Sequence, residues 1–200
     1  LTLTRRYAKV KLRDYTGTGV LLSQAPILAI AMWIVFPHPD IATMFLMVLS
    51  ALWFGASDSV RELIAERTIW RREARVGLKL LPYMMSKLTV LGALVSVQCL
   101  LLVGIIYWSL GMGEYGFSFL GLSAVAIGTG WVGLSMGLVV SSLFSSSEAA
   151  VGTLPLLLIP QIAFGGLIVK LRDMTDKDAL VFTLADLYEH PAWYVSNTMV

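Results

Sequence analysis

Apolar residues run through this chain in long blocks, not at the spacing of a surface helix. Five blocks reach or approach the roughly 20 residues that a helix needs to cross a bilayer core of about 30 Å. They cover 18–36, 41–57, 86–110, 117–144 and 149–169. The first two are joined by "PHPD" at 37–40, whose two prolines predict a tight hairpin. The pattern predicts an all-α fold, a polytopic membrane helical bundle with five spans forming a single transmembrane domain over 1–200.

Two stretches break the pattern. Over 58–75, at about 100° per residue, Glu62, Glu66 and Glu73 fall on one narrow stripe. Arg61, Arg67, Arg71, Arg72 and Arg75 spread over the other side, and Val60, Leu63, Ile64 and Trp70 form a partial apolar face. A short helix lying along the membrane surface is expected here, with Asp58 or Ser59 as N-cap and Glu62 three residues on, as in a capping box. Over 3–15, Arg5, Arg6, Lys9 and Arg13 cluster on one face while Leu3, Tyr7 and Val10 share another. Two arrangements follow. Either the two helices pack side by side, Glu62, Glu66 or Glu73 opposite N-terminal bases, or the bases meet anionic lipid headgroups and the acids pair within their own helix.

Composition agrees with the blocks. The 200 residues are 57% apolar and only 14% charged, against roughly a quarter charged in a soluble domain, and mean hydropathy is +0.77. Net charge is only +2, so its distribution carries the information. Arg5, Arg6, Lys9, Lys11 and Arg13 gather before the first block, and Arg61, Arg67, Arg71, Arg72, Arg75 and Lys79 gather between the second and third, whereas 37–40 and 111–116 contain no Lys or Arg. By the positive-inside rule both basic stretches face the cytoplasm of a multi-pass protein of the cell (inner) membrane, with its N-terminus inside. Residues 170–200 then lie outside, and 145–148, which should be cytoplasmic, lacks the bases expected there. The odd number of spans and the initial Leu1 lead us to expect a piece of a longer polypeptide. A lone cysteine, Cys99, excludes a disulfide framework and a zinc pattern.

The wording of the charged segment is itself informative. "RELIAERTIWRREARVGLKLLPYMMSKL", at 61–88, resembles the membrane domain of type-2 ABC exporters, most closely the G subfamily and its bacterial relatives. In that family an acid is followed by "ER-IF-RE", a Gly and "Y--AK". The matching positions here are Glu62, Glu66, Arg67, Arg72, Glu73, Gly77, Tyr83, Ser86 and Lys87. "LIPQIAFGGLIV" is similar to the family's broken fifth span, and "HPAWYVSNTMV" to the stretch before its last span. The wording also resembles bacterial members that carry an FHA domain on the same chain. The resemblance implies a half-transporter that works as a homodimer and is driven by a nucleotide-binding ATPase domain, where ATP and Mg would bind. It makes 1–16 an amphipathic connecting helix and 58–75 a cytoplasmic coupling helix. Glu62, Glu66, Arg67, Arg71, Arg72 and Glu73 would then meet the ATPase domain, and Tyr83 and Lys87 would mark re-entry into the membrane. A sixth span is missing from the family's pattern, and no GxxxxGK[ST] stretch occurs in this chain.

Other features carry less. Gly133, Gly137 and Ser141 form a small-xxx-small seam, serving either packing within one subunit or a dimer. Pro155 and Pro160 break the fifth block, with Gly165 and Gly166 beyond them. These read as ordinary kinks or as a bending helix beside a transport cavity, with Pro160, Gln161, Gly165 and Gly166 as cavity or gate candidates. Gln24 and Gln98 are intramembrane amides that neighbouring helices would satisfy. Lys87 either snorkels to the interface or holds the charged segment. His38 and His190 lack partners at metal spacing, so no metal site is expected, and no nucleic-acid partner. No catalytic set appears, which disfavours a membrane enzyme. The expected function is the permease of an ATP-driven exporter that moves an amphiphilic or lipid-like substrate by alternating access. The alternative is a membrane scaffold docking a cytoplasmic partner.

Overall fold

The computed structural model describes residues 2–67, 70, 72 and 80–164. They form α1 (Thr2–Arg13), α2 (Tyr15–Val35), α3 (Ile41–Ser59), α4 (Glu62–Ala65), α5 (Leu80–Ser109), α6 (Phe119–Leu143) and α7 (Ser147–Phe164). Among the described residues no strand occurs, and the fold is an all-α membrane helical bundle. Four stretches are long and apolar enough to cross a membrane: Tyr15–Val35, Ile41–Ala65, Leu81–Ser109 and Phe119–Leu143. The fifth expected span corresponds to α7, a shorter apolar helix; 165–169 lie outside the described residues.

Local chemistry sets the boundaries. Asp14 separates α1 from α2 and caps the latter, accepting from the Gly17 amide at 3.0 Å. The connecting helix expected over 1–16 therefore ends at Arg13, and the first span starts three residues earlier than the hydropathy indicates. The 37–40 hairpin ends on Asp40, which caps α3 through the Thr43 amide and hydroxyl, at 2.8 and 2.9 Å. Those two bonds hold the exposed Asp40 carboxyl below its ordinary range. At the end of α5, Gly111 takes φ +62° and the Met112 amide reaches back to the Tyr107 carbonyl at 3.1 Å, a Schellman closure that favours glycine.

Residues Leu1–Leu157 form one compact unit, and a second begins at Leu158. Within the first, α3 and α6 are the most closely joined pair, α5 packs on α2, α3 and α6, and α1 lies on α5. Met47, Ala51, Phe54, Leu91, Val95, Cys99, Leu102, Ile106 and Leu134 are fully or almost fully buried in the main core. Outward-facing Ile27, Ile34, Trp108, Leu120 and Leu143 remain exposed, as lipid-facing positions would be.

The α3–α6 contact is a backbone-on-backbone approach. A Cβ on Gly133 would lie 2.2 Å from the Leu52 carbonyl oxygen, and one on Gly137 would lie 2.1 Å from Ser59 Oγ and 2.6 Å from the Ala56 carbonyl oxygen. From the other side, a Cβ on Gly55 would lie 2.0 Å from the Gly130 carbonyl oxygen. The glycine seam is thus filled from within the chain, by α3. Gln98, the amide on α5, donates to the Leu21 carbonyl of α2 at 2.8 Å.

Substituting Gly133 by Ala is expected to cost about 1–3 kcal/mol, because the obstructing atoms are backbone. Gly128→Ala on the same helix meets nothing within 4 Å and should be neutral or stabilising. Thermal unfolding of the two variants in one detergent compares them directly; equal melting temperatures would contradict the seam.

Candidate functional site

The charged segment expected as one helix over 58–75 is divided differently. α3 continues through Asp58 and Ser59, and the short α4 follows after Val60 and Arg61. This corrects the expected capping box. Ser59 is buried and its hydroxyl bonds back to the Gly55 carbonyl at 2.7 Å, so it is unavailable to α4. Arg61 occupies the N-cap position with no side-chain cap. The cap comes from another helix: Ser141 Oγ on α6 accepts from the Leu63 and Ile64 amides at 3.0 and 3.3 Å. Arg67 Nη2 then donates to the Ser142 and Phe144 carbonyls, 3.2 Å each, at the C-terminal end of α6, where a cation complements the helix dipole.

The acids turn the other way, towards α1 and the first turns of α5. On α1, Tyr7 and Lys11 stand one turn apart on the face opposite Arg5, Lys9 and Arg13. Tyr7 Oη donates to Glu62 Oε2 at 2.5 Å, and Lys11 Nζ pairs with Glu62 Oε1. On α5, Tyr83 and Lys87 are likewise one turn apart. Lys87 Nζ lies 2.6 Å from Glu66 Oε1 and 3.4 Å from Glu62 Oε2, and Tyr83 Oη donates to Glu66 Oε2 at 3.1 Å. The same ammonium sits 3.5 Å from the centre of the Tyr7 ring.

Lys87 is only 1% exposed, a position that a cation tolerates only when paired. Here two carboxylates and an aromatic face surround it, and with Lys11 the cluster contains two positive and two negative groups. Burial, and after it the charge of Glu62, raise the Tyr7 phenol above its ordinary value. The segment 61–67 is therefore tied to three neighbours: α1 through Glu62, α5 through Glu62 and Glu66, and α6 through its amides and Arg67.

The remaining sequence candidates are placed as follows. Arg5, Arg6, Lys9 and Arg13 are exposed, and on α1 it is Lys11 that pairs with Glu62. Glu66 pairs with Lys87 and accepts from Tyr83. Arg72 is exposed in a helical position; Arg71, Glu73, Gly165 and Gly166 lie outside the described residues. Pro160 and Gln161 sit in the last turns of α7, the first exposed and the second half-buried. Tyr7 and Ser141 were given other roles by the sequence, an apolar face and a seam. The one signal for Tyr7 was its i, i+4 relation to Lys11, away from the main basic cluster.

These elements define a polytopic helical membrane protein whose polar segment is clamped between three helices. The ABC-2 type transporter family matches residues 1–184, and the chain belongs to that family. It is 26% identical over 139 residues to the ABC transporter ATP-binding/permease protein Rv1747 of Mycobacterium tuberculosis (strain ATCC 25618 / H37Rv). That match takes in 65% of this chain and 16% of the relative, so the chain spans a small part of the relative's length. No solved structure matches it. A transport permease role in the membrane follows from the family.

Replacing Lys87 by Met should destabilise the fold by about 1–3 kcal/mol, since it leaves the half-buried Glu66 without its cation while Glu62 keeps Lys11. Tyr7→Phe, which keeps the ring beneath Lys87 and loses only the hydrogen bond, should cost about 1–3 kcal/mol. The raised Tyr7 value also fixes a sign. Above pH 10 the unfolded phenol ionises and the folded one does not, so the contribution of Tyr7 is complete below pH 10 and declines as pH rises beyond it. Thermal unfolding from pH 8 to 11 should show a steeper alkaline decline in the parent than in Tyr7→Phe; parallel curves would contradict the assignment.

Proposed function

We propose that this chain is the permease of an ATP-driven exporter, a G-subfamily-like half-transporter in the cell membrane with its N-terminus in the cytoplasm. The observation that carries the proposal is the clamp on 61–67: one polar segment holds α1, α5 and α6 at once. The basic stretches at 5–13 and 61–79 support a cytoplasmic location for that clamp.

The chain has no GxxxxGK[ST] stretch, so nucleotide chemistry with ATP and Mg belongs to an ATPase domain beyond these residues. The relative's name, an ATP-binding/permease protein, supports such a domain on the same polypeptide. The wording at 61–88 supports an FHA domain there too. In this reading Arg61 and Arg72, both exposed, face the ATPase domain, while Glu62, Glu66 and Arg67 face inward and pass its movement to the helices. A second copy completes the translocation path, and alternating access moves the substrate. The apolar character of the spans favours an amphiphile over an ion. Binding energy shifts such an equilibrium only by its difference between the two states, so a weakened clamp should lower transport while sparing substrate binding.

The test uses the full-length protein in proteoliposomes with a short-chain fluorescent phospholipid as transport probe. Glu62→Gln should lower transport per ATP hydrolysed by about tenfold, within the usual range of coupling energies. Probe binding should stay close to the parent value. Transport per ATP equal to the parent's would refute the coupling role. An absence of ATP-dependent movement of any amphiphile by the parent protein would turn the reading towards a scaffold.

A further inference from the structure

The clamp uses one side of α1, and Arg5, Lys9 and Arg13 on the opposite side are exposed. At about 100° per residue, Arg5, Lys9 and Arg13 lie within about 80° of one another, centred roughly 180° from Tyr7 and Lys11. All three are exposed, and Val10, on the flank of the stripe, is 62% exposed. Tyr15, two residues beyond Arg13, is 82% exposed. Asp14, the carboxylate at the end of this helix, is turned into the α2 cap and accepts from the Gly17 amide.

The position of α1 beside the spanning helices is also fixed. One residue separates it from the spanning helix α2, and its inner face meets Lys87 through Tyr7, within the first turns of the spanning stretch Leu81–Ser109. A helix held there with a basic stripe, an adjacent exposed valine and an exposed tyrosine at the junction has the makeup of an in-plane interfacial helix. Its charge complements phosphate-bearing headgroups of net negative charge.

We propose that the outer face of α1, through Arg5, Lys9 and Arg13, is a docking surface for anionic phospholipid headgroups of the leaflet on that side of the bilayer. Lipid selects this face independently of the clamp, because Lys11 and Tyr7 are already engaged by Glu62. The surface makes the protein sensitive to the anionic lipid content of its membrane whether or not it transports.

The test places a fluorophore on Val10→Cys of the full-length protein, in a background where cysteines outside residues 1–200 are replaced by Ser; Cys99 is buried. The labelled protein is reconstituted in phosphatidylcholine vesicles containing phosphatidylglycerol, and quenching by spin-labelled phosphatidylglycerol is compared with that by spin-labelled phosphatidylcholine. The expected preference for the anionic quencher is on the order of fivefold, the enrichment given by a single base at an anionic surface. Arg5→Gln, Lys9→Gln and Arg13→Gln combined should remove the preference, and salt at about 1 M should reduce it in the parent, since exposed charges are screened. Equal quenching by the two lipids in the parent would overturn the proposal, as would a preference unchanged by salt. Protection from both quenchers would also overturn it, showing that this face meets protein. None of these readouts involves ATP hydrolysis or transport, and each reports on Val10 at the outer face of α1, so failure here leaves the exporter reading standing, and failure of that reading leaves this one intact.

Discussion

A lysine buried at the end of a membrane span constrains most of what surrounds it. The ammonium of Lys87 has lost nearly all contact with water, and an uncompensated charge there is too costly to retain. Glu62 and Glu66 must therefore stand within reach, which fixes how the chain leaves α3. Tyr7 must cover the remaining side, which fixes where α1 lies. With Lys11 completing the charge balance, α1, the segment 61–67 and α5 have one mutual arrangement that satisfies every member.

The second constraint is steric. Gly55, Gly130, Gly133 and Gly137 let the backbones of α3 and α6 approach until side chains no longer separate them. In a bilayer, where apolar burial between helices gives little driving force, such contact is a main source of packing energy. The polar clamp sits at the end of this seam, beyond Ser59 and beside Ser141. Tight packing and polar contacts thus act on the same pair of helices at neighbouring levels.

Much of the fold was legible because hydropathy blocks and proline turns are local signals. Three blocks coincide with long helices to within three residues at either end, the third block's helix begins six residues before its expected start, and the turn at 37–40 fell where its prolines placed it. The attraction between the acids of 62–66 and the N-terminal helix was legible as complementary charge. Its particulars were not, because a helical wheel groups residues by density, and the densest basic stripe left the contact face open between protein and lipid. The true contact used Lys11, a base set apart from that stripe, and Lys87, which stands in another block entirely. The cap of α4 was illegible for a related reason: its donor and acceptor are more than 70 positions apart, and a nearer Ser59 offered the usual local signature.

That remote cap has a mechanical consequence. A four-residue helix has no helical stability of its own, since nucleation costs more than one turn returns. α4 keeps its turn because a hydroxyl on α6 supplies the acceptor that its first amides lack. Its order is therefore a gauge of the spacing between α3 and α6. If those helices part by little more than an ångström, the bonds at 3.0 and 3.3 Å pass beyond hydrogen-bonding range and the turn loses its support. The short stretch after α3 then acts as a threshold element, converting a small continuous displacement in the bundle into an abrupt change in the segment that carries Glu62 and Glu66.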